Sequence, residues 1–220
     1  MSLEAVREDF DRIARLVAKE PERPERYESF LLEHVPERGA VLEIGCGAGR
    51  LARTIAKRGA TVTAIDASPE MIRLARLRAG EVRIELVCCA FSEFRAAPGA
   101  YDGIVSVTTL HHLPVAPALA RMKELLKPGG VLVIHDVRSK AGIGERLRCG
   151  WAAGLNGDAL WWVGQQLRQP RALRQAWRDH GAGERYLTMA GVRALYDVEL
   201  PGARVWQHPL SRYTVVWRSP

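Results

Sequence analysis

The amino-acid sequence predicts an α/β protein with a doubly wound sheet of seven strands, most of them parallel. Three observations lead to this prediction. Apolar or β-branched runs of strand length alternate with helical patterns up to residue 137, glycine- or proline-containing turns separate many of them, and two β-rich runs close the chain. Strands that alternate with helices are joined by crossovers, which make neighbouring strands parallel and place helices on both faces of the sheet.

Two helical stretches precede the first predicted strand. Residues 4–18 carry apolar side chains at every third or fourth position, which is typical of an amphipathic helix. The second stretch covers residues 24–34, and residues 36–39 then form a turn by composition.

The central strands and helices alternate in a regular order. Ser68 and Pro69 are typical of a helix start, as N-cap and first helical residue, and the glycines and proline of residues 127–130 predict the end of a later helix. The predicted strands cover residues 40–44, 61–65, 82–88, 103–107 and 131–135. The predicted helices between them cover residues 51–58, 69–78 and 116–126.

The region after residue 138 departs from this alternation. Residues 139–187 show mainly helical patterns, including one over 170–180, so we expect a helical cover there. A helix over 188–195 follows, and the β-rich runs at 203–208 and 213–217 predict a closing antiparallel pair. Four of the six tryptophans lie in the expected cover, namely Trp151, Trp161, Trp162 and Trp177.

The composition is that of an ordinary globular protein. Of the 220 residues, 47% are hydrophobic and 26% are charged, which excludes long disordered tracts. No apolar run approaches the roughly 20 residues needed to span a bilayer, and the acidic N-terminus lacks the pattern of a signal peptide. The four cysteines form neither a Cys-x-x-Cys pair nor a disulfide framework. We therefore expect a cytoplasmic protein with no membrane span.

A glycine-rich loop directly follows the first predicted strand. Its glycines, Gly45, Gly47 and Gly49, allow a sharp turn and the close approach of a ligand. Asp66 ends the second strand, where a carboxylate can accept hydrogen bonds from both hydroxyls of a ribose. A dinucleotide fingerprint would need a small residue at position 50, and Arg50 stands there. The pattern therefore favours a nucleoside ligand other than a dinucleotide.

These and three later segments resemble the motifs of class I S-adenosylmethionine-dependent methyltransferases. The loop from Glu43 to Gly49 resembles their E/D-x-G-x-G-x-G loop, and residues 66–71 resemble their second motif. Residues 101–114 and 125–134 resemble their fourth and fifth motifs. The resemblance spans residues 27–137, in order, and is closest to the branch that includes the ubiquinone and menaquinone biosynthesis methyltransferases. It implies a Rossmann-like fold, the cofactor S-adenosylmethionine and methyl transfer.

The resemblance also implies which residues bind the cofactor. Asp66 would hold the ribose, Met71 would lie against the adenine, and Glu43 would orient the amino end of the methionine moiety. Cys89 stands where the family usually has Asp or Asn, so the backbone of Ala90 and Phe91 is expected to hold the adenine. The expected cofactor-binding residues are Glu43, Gly45, Cys46, Gly47, Gly49, Asp66, Ala67, Met71, Cys89, Ala90, Phe91 and Val107.

His111 and His112 follow the fourth predicted strand, beside the expected methyl site. The unperturbed pKa of an imidazole, about 6.5, suits a general base, so His111 is the candidate catalytic residue. The alternative is that these histidines only fix the loop. In some relatives a Glu-x-x-Glu-His arrangement at this place binds a divalent metal, whereas this chain has Thr108 and the two histidines without those carboxylates. We therefore expect no metal.

The resemblance implies one class I methyltransferase domain over residues 1–220. We expect an N-terminal helical lid at 1–36, a cofactor-binding core at 37–138, a helical substrate cover at 139–187, and a closing helix with antiparallel strands at 188–220. The first helix resembles the lid of related small-molecule methyltransferases, and an ordinary docking helix is an equal alternative.

Three functions compete for such a domain. We favour transfer of a methyl group to a small-molecule acceptor by in-line displacement. The net charge of +7 lies entirely within residues 138–220, which supports a less favoured RNA or tRNA acceptor; a cofactor-binding regulator without catalysis is the third. Arg171, Arg174 and Arg178 share one face of a predicted helix. If they face the pocket we expect an anionic acceptor, and if they face water the tryptophans line an apolar cavity.

Overall fold

A computed structural model describes residues 2–22, 26–139, 160, 163–164 and 168–220. The described residues form one seven-stranded sheet whose strands are β1 (Ala40–Ile44), β2 (Thr61–Asp66), β3 (Glu85–Cys88), β4 (Tyr101–Val107), β5 (Leu126–Val137), β6 (Arg204–His208) and β7 (Arg212–Arg218). Their order across the sheet is β3-β2-β1-β4-β5-β7-β6. The first five strands are parallel, and β7 runs antiparallel to both β5 and β6. The predicted fold class is confirmed.

Helices cover both faces of this sheet. They are α1 (Leu3–Val17), α2 (Glu28–Leu32), α3 (Arg50–Lys57), α4 (Pro69–Ala79), α5 (Val115–Leu125), α6 (Arg171–Ala182) and α7 (Met189–Glu199). The helix start predicted at Ser68 is confirmed, because the Ser68 hydroxyl accepts a hydrogen bond from the Met71 amide. The helix predicted over 24–34 is shorter in the structure, where only α2 is helical among the described residues of that stretch.

The largest boundary difference lies between α5 and β5. The sequence predicts a turn at 127–130 before the strand, whereas β5 begins at Leu126, directly after the helix. Leu126 pairs with Tyr101, and the register shifts before Val131 pairs with Gly103. A Cβ on Gly130 would lie 2.9 Å from the Lys127 carbonyl oxygen. The glycine therefore permits a bulge inside the strand rather than ending an element.

Two large apolar layers and one small cluster hold these elements together. One layer contains α5 and α7, and the other contains α3 and part of α2. The small cluster joins three helices through Ile13 of α1, Met71 of α4, and Leu173 with Ala176 of α6. It fixes α1 and α6 above the carboxyl ends of the parallel strands, where ligands of such sheets bind. The resulting cleft has a volume of about 1410 Å³.

Candidate functional site

The glycine loop after β1 forms one wall of the cleft. All three glycines have positive φ, at 73° for Gly45, 51° for Gly47 and 73° for Gly49, a region that favours glycine. A Cβ on Gly45 would overlap Thr109, whereas one on Gly47 would approach only the Met71 sulfur, at 3.9 Å. The loop therefore leaves open space beside Gly47, on the side that faces Met71.

Asp66 fastens this loop to the end of β2. One of its carboxylate oxygens accepts a hydrogen bond from the Gly47 amide and the other from the Ser68 amide, both at 2.8 Å. Burial raises the pKa of Asp66, and these two backbone donors oppose the shift. Each oxygen keeps a second lone pair for a ribose hydroxyl. Asp66 thus has a structural role that the sequence did not predict, beside its expected role in binding.

Glu43 supplies a buried carboxyl group behind the loop. Its side chain lines the cleft and is 3% exposed. Within the described part of the chain, Oε2 has no hydrogen-bond partner. Burial raises the pKa of Glu43 to about 8, and the nearby charge of Asp66 adds to the shift. A buried acceptor that lacks a partner fits a ligand with a cationic or N–H group, such as the amino end of a methionine moiety.

The expected adenine region lies on the other side of Asp66. Cys89, Ala90 and Phe91 follow β3 and line the cleft with Met71. The Ala90 amide already donates to the Glu93 carboxylate, at 3.2 Å, so it is less available to an adenine than the sequence predicts. Eleven of the twelve expected cofactor residues line the cleft. Gly49 does not, because it caps α3 and packs against Ala75.

The other end of the cleft contains a cluster of buried and half-buried histidines and carboxylates that the sequence did not predict as a group. His111 and His112 lie in a short 3-10 helix after β4. Asp136, at the end of β5, is 1% exposed. It accepts hydrogen bonds from the His111 amide, at 3.0 Å, and contacts His111 Nδ1 at 2.5 Å. This contact leaves His111 Nε2 directed toward Glu184, whose Oε2 is 2.8 Å away.

Glu184 connects the histidines to the cover. Its Oε1 lies 2.8 Å from His112 Nδ1 and 3.6 Å from His180 Nε2. His180 Nδ1 in turn lies 3.2 Å from a carboxylate oxygen of Asp9, on α1. We call the six residues the histidine cluster; they are His111, His112, His180, Glu184, Asp136 and Asp9.

The electrostatics of the cluster follow from its burial. Burial lowers the pKa of His112 to about 3, and the neighbouring His111 and His180 add to the shift. Burial also raises the pKa of Tyr186, which is hydrogen-bonded to Glu184. The expectation of no metal rested on the lack of a carboxylate beside His111 and His112, and Glu184 supplies one.

Helix α1 covers the cleft from above. Phe10 packs edge-on against His180, at a centroid distance of 4.8 Å, and against His112, at 5.6 Å. The Asp11 carboxylate accepts a hydrogen bond from the Ser68 hydroxyl at 2.5 Å and from the Glu70 amide at 3.2 Å. The helix is therefore docked on both ends of the cleft, as the lid and the docking interpretations both require.

The helix α6 presents charge and an aromatic ring to the cleft together. Arg174, Arg178 and Trp177 line it, whereas Arg171 does not. The sequence offered two alternatives, arginines that face the pocket or tryptophans that line it. In the structure two arginines and one tryptophan of α6 line the same cleft. Three other tryptophans assigned to the cover lie outside the described residues, namely Trp151, Trp161 and Trp162.

The fold and the cleft together are typical of an α/β protein that binds a nucleoside ligand. In doubly wound sheets, a glycine loop after the first strand and an acidic residue after the second hold nucleoside ligands at the carboxyl ends of the strands. Residues 41–130 match the family described as a methyltransferase domain.

Curated relatives match about half of the chain. A ubiquinone biosynthesis O-methyltransferase of Xylella fastidiosa (strain 9a5c) is 37% identical over 113 residues, which cover 49% of this chain and 46% of the relative. One from Xanthomonas campestris pv. campestris (strain B100) is 38% identical over 101 residues, covering 44% and 42%. The matched segment thus spans about half the length of these relatives.

Solved structures agree over almost the whole chain. A SAM-dependent methyltransferase from Aquifex aeolicus has a TM-score of 0.61 at 18% identity, covering 96% of this chain and 98% of that one. The complex of DhpI with SAH has a TM-score of 0.64 at 17% identity, covering 99% and 98%. At this identity the likeness shows the fold. Residues 41–130 thus match a methyltransferase domain, and the fold of the chain is that of solved S-adenosylmethionine-dependent methyltransferases.

Among the described residues, no helix is both long and apolar enough to cross a membrane.

Proposed function

We propose that the protein transfers a methyl group from S-adenosylmethionine to an oxygen of a small-molecule acceptor, by in-line displacement. One observation carries the proposal: a single covered cleft contains the glycine loop, Asp66 and Glu43 at one end and the histidine cluster at the other. The relatives named as ubiquinone biosynthesis O-methyltransferases support oxygen as the acceptor atom.

The residues of the cofactor end would bind and orient. When bound, the cofactor supplies a methyl group on a positively charged sulfur, which is already activated for transfer. Gly47 leaves room for the cofactor beside the loop. The remaining lone pairs of Asp66 would accept hydrogen bonds from the ribose hydroxyls, and the unpartnered Oε2 of Glu43 would accept one from the amino group. Met71 forms an apolar wall for the adenine. The remaining work is to align an acceptor and exclude water.

The residues of the acceptor end would receive the acceptor's proton. His111 is the predicted catalytic residue, and Asp136 fixes the orientation of its ring through two contacts. The carboxylate on Nδ1 leaves Nε2 for proton transfer, and Nε2 would exchange its 2.8 Å contact with Glu184 for the acceptor. Helices α1 and α6 shield this end, and Phe10 packs on the histidines. Such a shielded site suits a small acceptor better than an RNA strand.

Binding and turnover test the proposal separately. S-adenosylhomocysteine at a hundred times its Kd should stabilise the protein by about 2.7 kcal/mol, and NAD should not, as a melting scan can measure. Transfer of a labelled methyl group should then be measured to a panel of small hydroxylated aromatic acids and, in parallel, to bulk tRNA. Label in the small acceptors supports the proposal.

Three results would contradict it. Label found only in tRNA would identify an RNA methyltransferase, and its affinity for RNA should then fall steeply with salt. Binding of S-adenosylhomocysteine with no transfer to any extract would identify a regulator. A melting temperature raised by NAD alone would remove the assignment of the cofactor.

A further inference from the structure

The acceptor end of the cleft holds more ligating atoms than a general base requires. We propose that His111, His112 and Glu184 bind a divalent transition-metal ion. These three residues each offer one candidate ligand atom, and the three atoms lie within 4.8 Å of one another. They come from a loop after β4 and from the chain that follows α6, so the fold brings them together across 72 residues of sequence.

The spacing of these atoms is close to that of ligands around an ion. Nitrogen and carboxylate ligands lie about 2.0 to 2.2 Å from Zn²⁺ in tetrahedral sites, so two such ligands are roughly 3.3 to 3.6 Å apart. His111 Nε2 lies 2.8 Å from Glu184 Oε2, and His112 Nδ1 lies 2.8 Å from Glu184 Oε1. The site therefore needs only a small outward shift of the Glu184 carboxylate to admit an ion.

The contact between His111 and Glu184 also lacks a bridging hydrogen bond. His111 Nδ1 contacts Asp136, and when it donates its proton there, Nε2 presents a lone pair to Glu184. Glu184 Oε2 is buried and has no partner in hydrogen-bond geometry among the described residues. An imidazole lone pair and a carboxylate oxygen that face each other at 2.8 Å repel unless a proton or a metal ion lies between them. A divalent ion would satisfy both.

The residues behind the ligands match the usual surroundings of a metal-binding histidine. Such a histidine donates its second ring N–H to a carboxylate, which fixes the ring. Asp136 serves His111 in this way, and it is itself held by the His111 and Val137 amides. His180 is set back at 3.6 Å from Glu184 and is held by Asp9. We assign it as a positioning residue for Glu184.

The ligand set selects the kind of ion. Two imidazoles and one carboxylate suit Zn²⁺, Co²⁺ or Ni²⁺, whereas Mg²⁺ and Ca²⁺ prefer oxygen ligands. Three protein ligands leave a fourth position of a tetrahedral ion open, as in catalytic zinc sites, and all three residues line the cleft. The use of the ion rests on the proposed function: it would lower the pKa of an acceptor hydroxyl. His111 would then be a ligand in place of the predicted base.

Metal binding can be measured without any methyl transfer. The full chain, freed of metal with a chelator, is titrated with Co²⁺ and then with Zn²⁺ in competition. We expect one Co²⁺ per chain, with visible absorption bands of a tetrahedral or five-coordinate site. X-ray absorption of the zinc-loaded protein should show nitrogen and oxygen ligands at about 2.0 to 2.2 Å and no sulfur at about 2.3 Å.

Variants locate the site within the chain. Glu184→Gln and His112→Ala should each weaken Co²⁺ binding at least about tenfold, and Asp136→Asn should weaken it by about 10- to 100-fold. His34→Ala is the matched control, because His34 lies outside the cleft and stacks on Trp206. Its Co²⁺ affinity should equal that of the unaltered protein. Circular dichroism checks that each variant is folded.

Several outcomes would overturn the inference. They are no Co²⁺ binding by the unaltered chain, sulfur in the zinc spectrum, or equal affinities of Glu184→Gln and His34→Ala. The first two use the unaltered protein, so a variant that fails to fold does not remove the test. Binding of S-adenosylhomocysteine without Co²⁺ binding would leave the proposed function in place, with a proton rather than a metal between His111 and Glu184.

Discussion

The two ends of the cleft are built in different ways. The cofactor end consists of the loops after β1, β2 and β3, each contributed by a strand and the helix or turn next to it. The acceptor end collects side chains from α1, the loop after β4, the end of β5 and the chain after α6. One of its contacts, between Asp9 and His180, joins residues 171 positions apart.

This difference has an energetic consequence. At the cofactor end, the site is built mainly from backbone amides and from glycines with positive φ. The Asp66 carboxylate accepts hydrogen bonds from two amides, and Glu43 Oε2 has no partner among the described residues. At the acceptor end, each buried histidine contacts a carboxylate. Removing one partner there leaves the other unmatched in a medium of low polarity, which costs more than the loss of an ordinary hydrogen bond.

The largest expected effect tests the independence of the acceptor end. Glu184→Gln should lower methyl transfer by about a hundredfold or more, while the affinity for S-adenosylhomocysteine stays within about twofold of its original value. Steady-state rates and calorimetric titrations measure the two quantities. Asp179→Asn is the control, since Asp179 is an exposed acid on α6 that contacts Gln175 at 2.6 Å and Arg12 at 3.6 Å and does not line the cleft. A large loss of cofactor affinity in Glu184→Gln would show that the two ends of the cleft do not act independently.

The next effect belongs to the cofactor end. Asp66→Ala should weaken binding of S-adenosylhomocysteine about 10- to 100-fold, since a hydrogen bond to a charged group contributes about 1.5 to 3 kcal/mol. Because Asp66 also holds two amides, a melting scan is needed beside the titration. Glu70→Gln, an acid near the start of α4, is the control. Unchanged affinity in a folded Asp66→Ala would mean that Asp66 only clamps the glycine loop.

The pH dependence of stability distinguishes the ends further. The pKa of Glu43 is about 8 in the folded protein and near 4.5 when unfolded. Between these values the folded state holds a proton that the unfolded state has lost, so the contribution of Glu43 to stability falls as pH rises through this window. The slope should approach about 1.4 kcal/mol per pH unit.

Urea denaturation at several pH values, with and without Glu43→Gln, measures this slope. The difference in unfolding free energy between the two proteins should change with pH from 4.5 to 8 and level off above. A difference that does not vary over this range would show that the folded protein carries Glu43 ionised.

The smallest expected effect concerns the arginines of α6. Arg174→Gln with Arg178→Gln should raise the KM for an anionic acceptor by up to about fivefold, since exposed charge pairs contribute about 0.2 to 1 kcal/mol. The rise should be larger at low salt. Arg171→Gln is the matched control, because Arg171 does not line the cleft. Equal effects of the control and the double variant would mean that only the overall charge matters.

The cofactor end could be predicted because its signals are local. Glycines at 45, 47 and 49 and an acid at the end of β2 lie within one strand-turn-helix-strand unit. The observed boundaries differ from the predicted ones where a contact distant in sequence sets them. In β5, for example, pairing with Tyr101 extends the strand back to Leu126. The division of the chain at residues 36, 138 and 187 and the cytoplasmic location stay predictions.

The acceptor end could be predicted only in part. His111 and His112 stood out as adjacent histidines, but Asp9 lies on a helix whose charges look like a solvated face, and Glu184 lies in the chain after α6, outside any motif. Only the packing of α1 and α6 over the cleft turns them inward. Asp136 did offer a signal, since it directly follows the strand predicted over 131–135, and the carboxyl ends of parallel strands carry ligand-binding residues.

The attachment of α1 bears on the timing of each reaction cycle. The Ser68 hydroxyl accepts from the Met71 amide and donates to Asp11, so one hydroxyl serves both the helix that carries Met71 and the fastening of α1. If α1 is the predicted lid and lifts to let product out, that hydroxyl loses a partner and Phe10 leaves His112 and His180. For such a lid, departure of product and the loss of contacts at both ends of the cleft would be a single event.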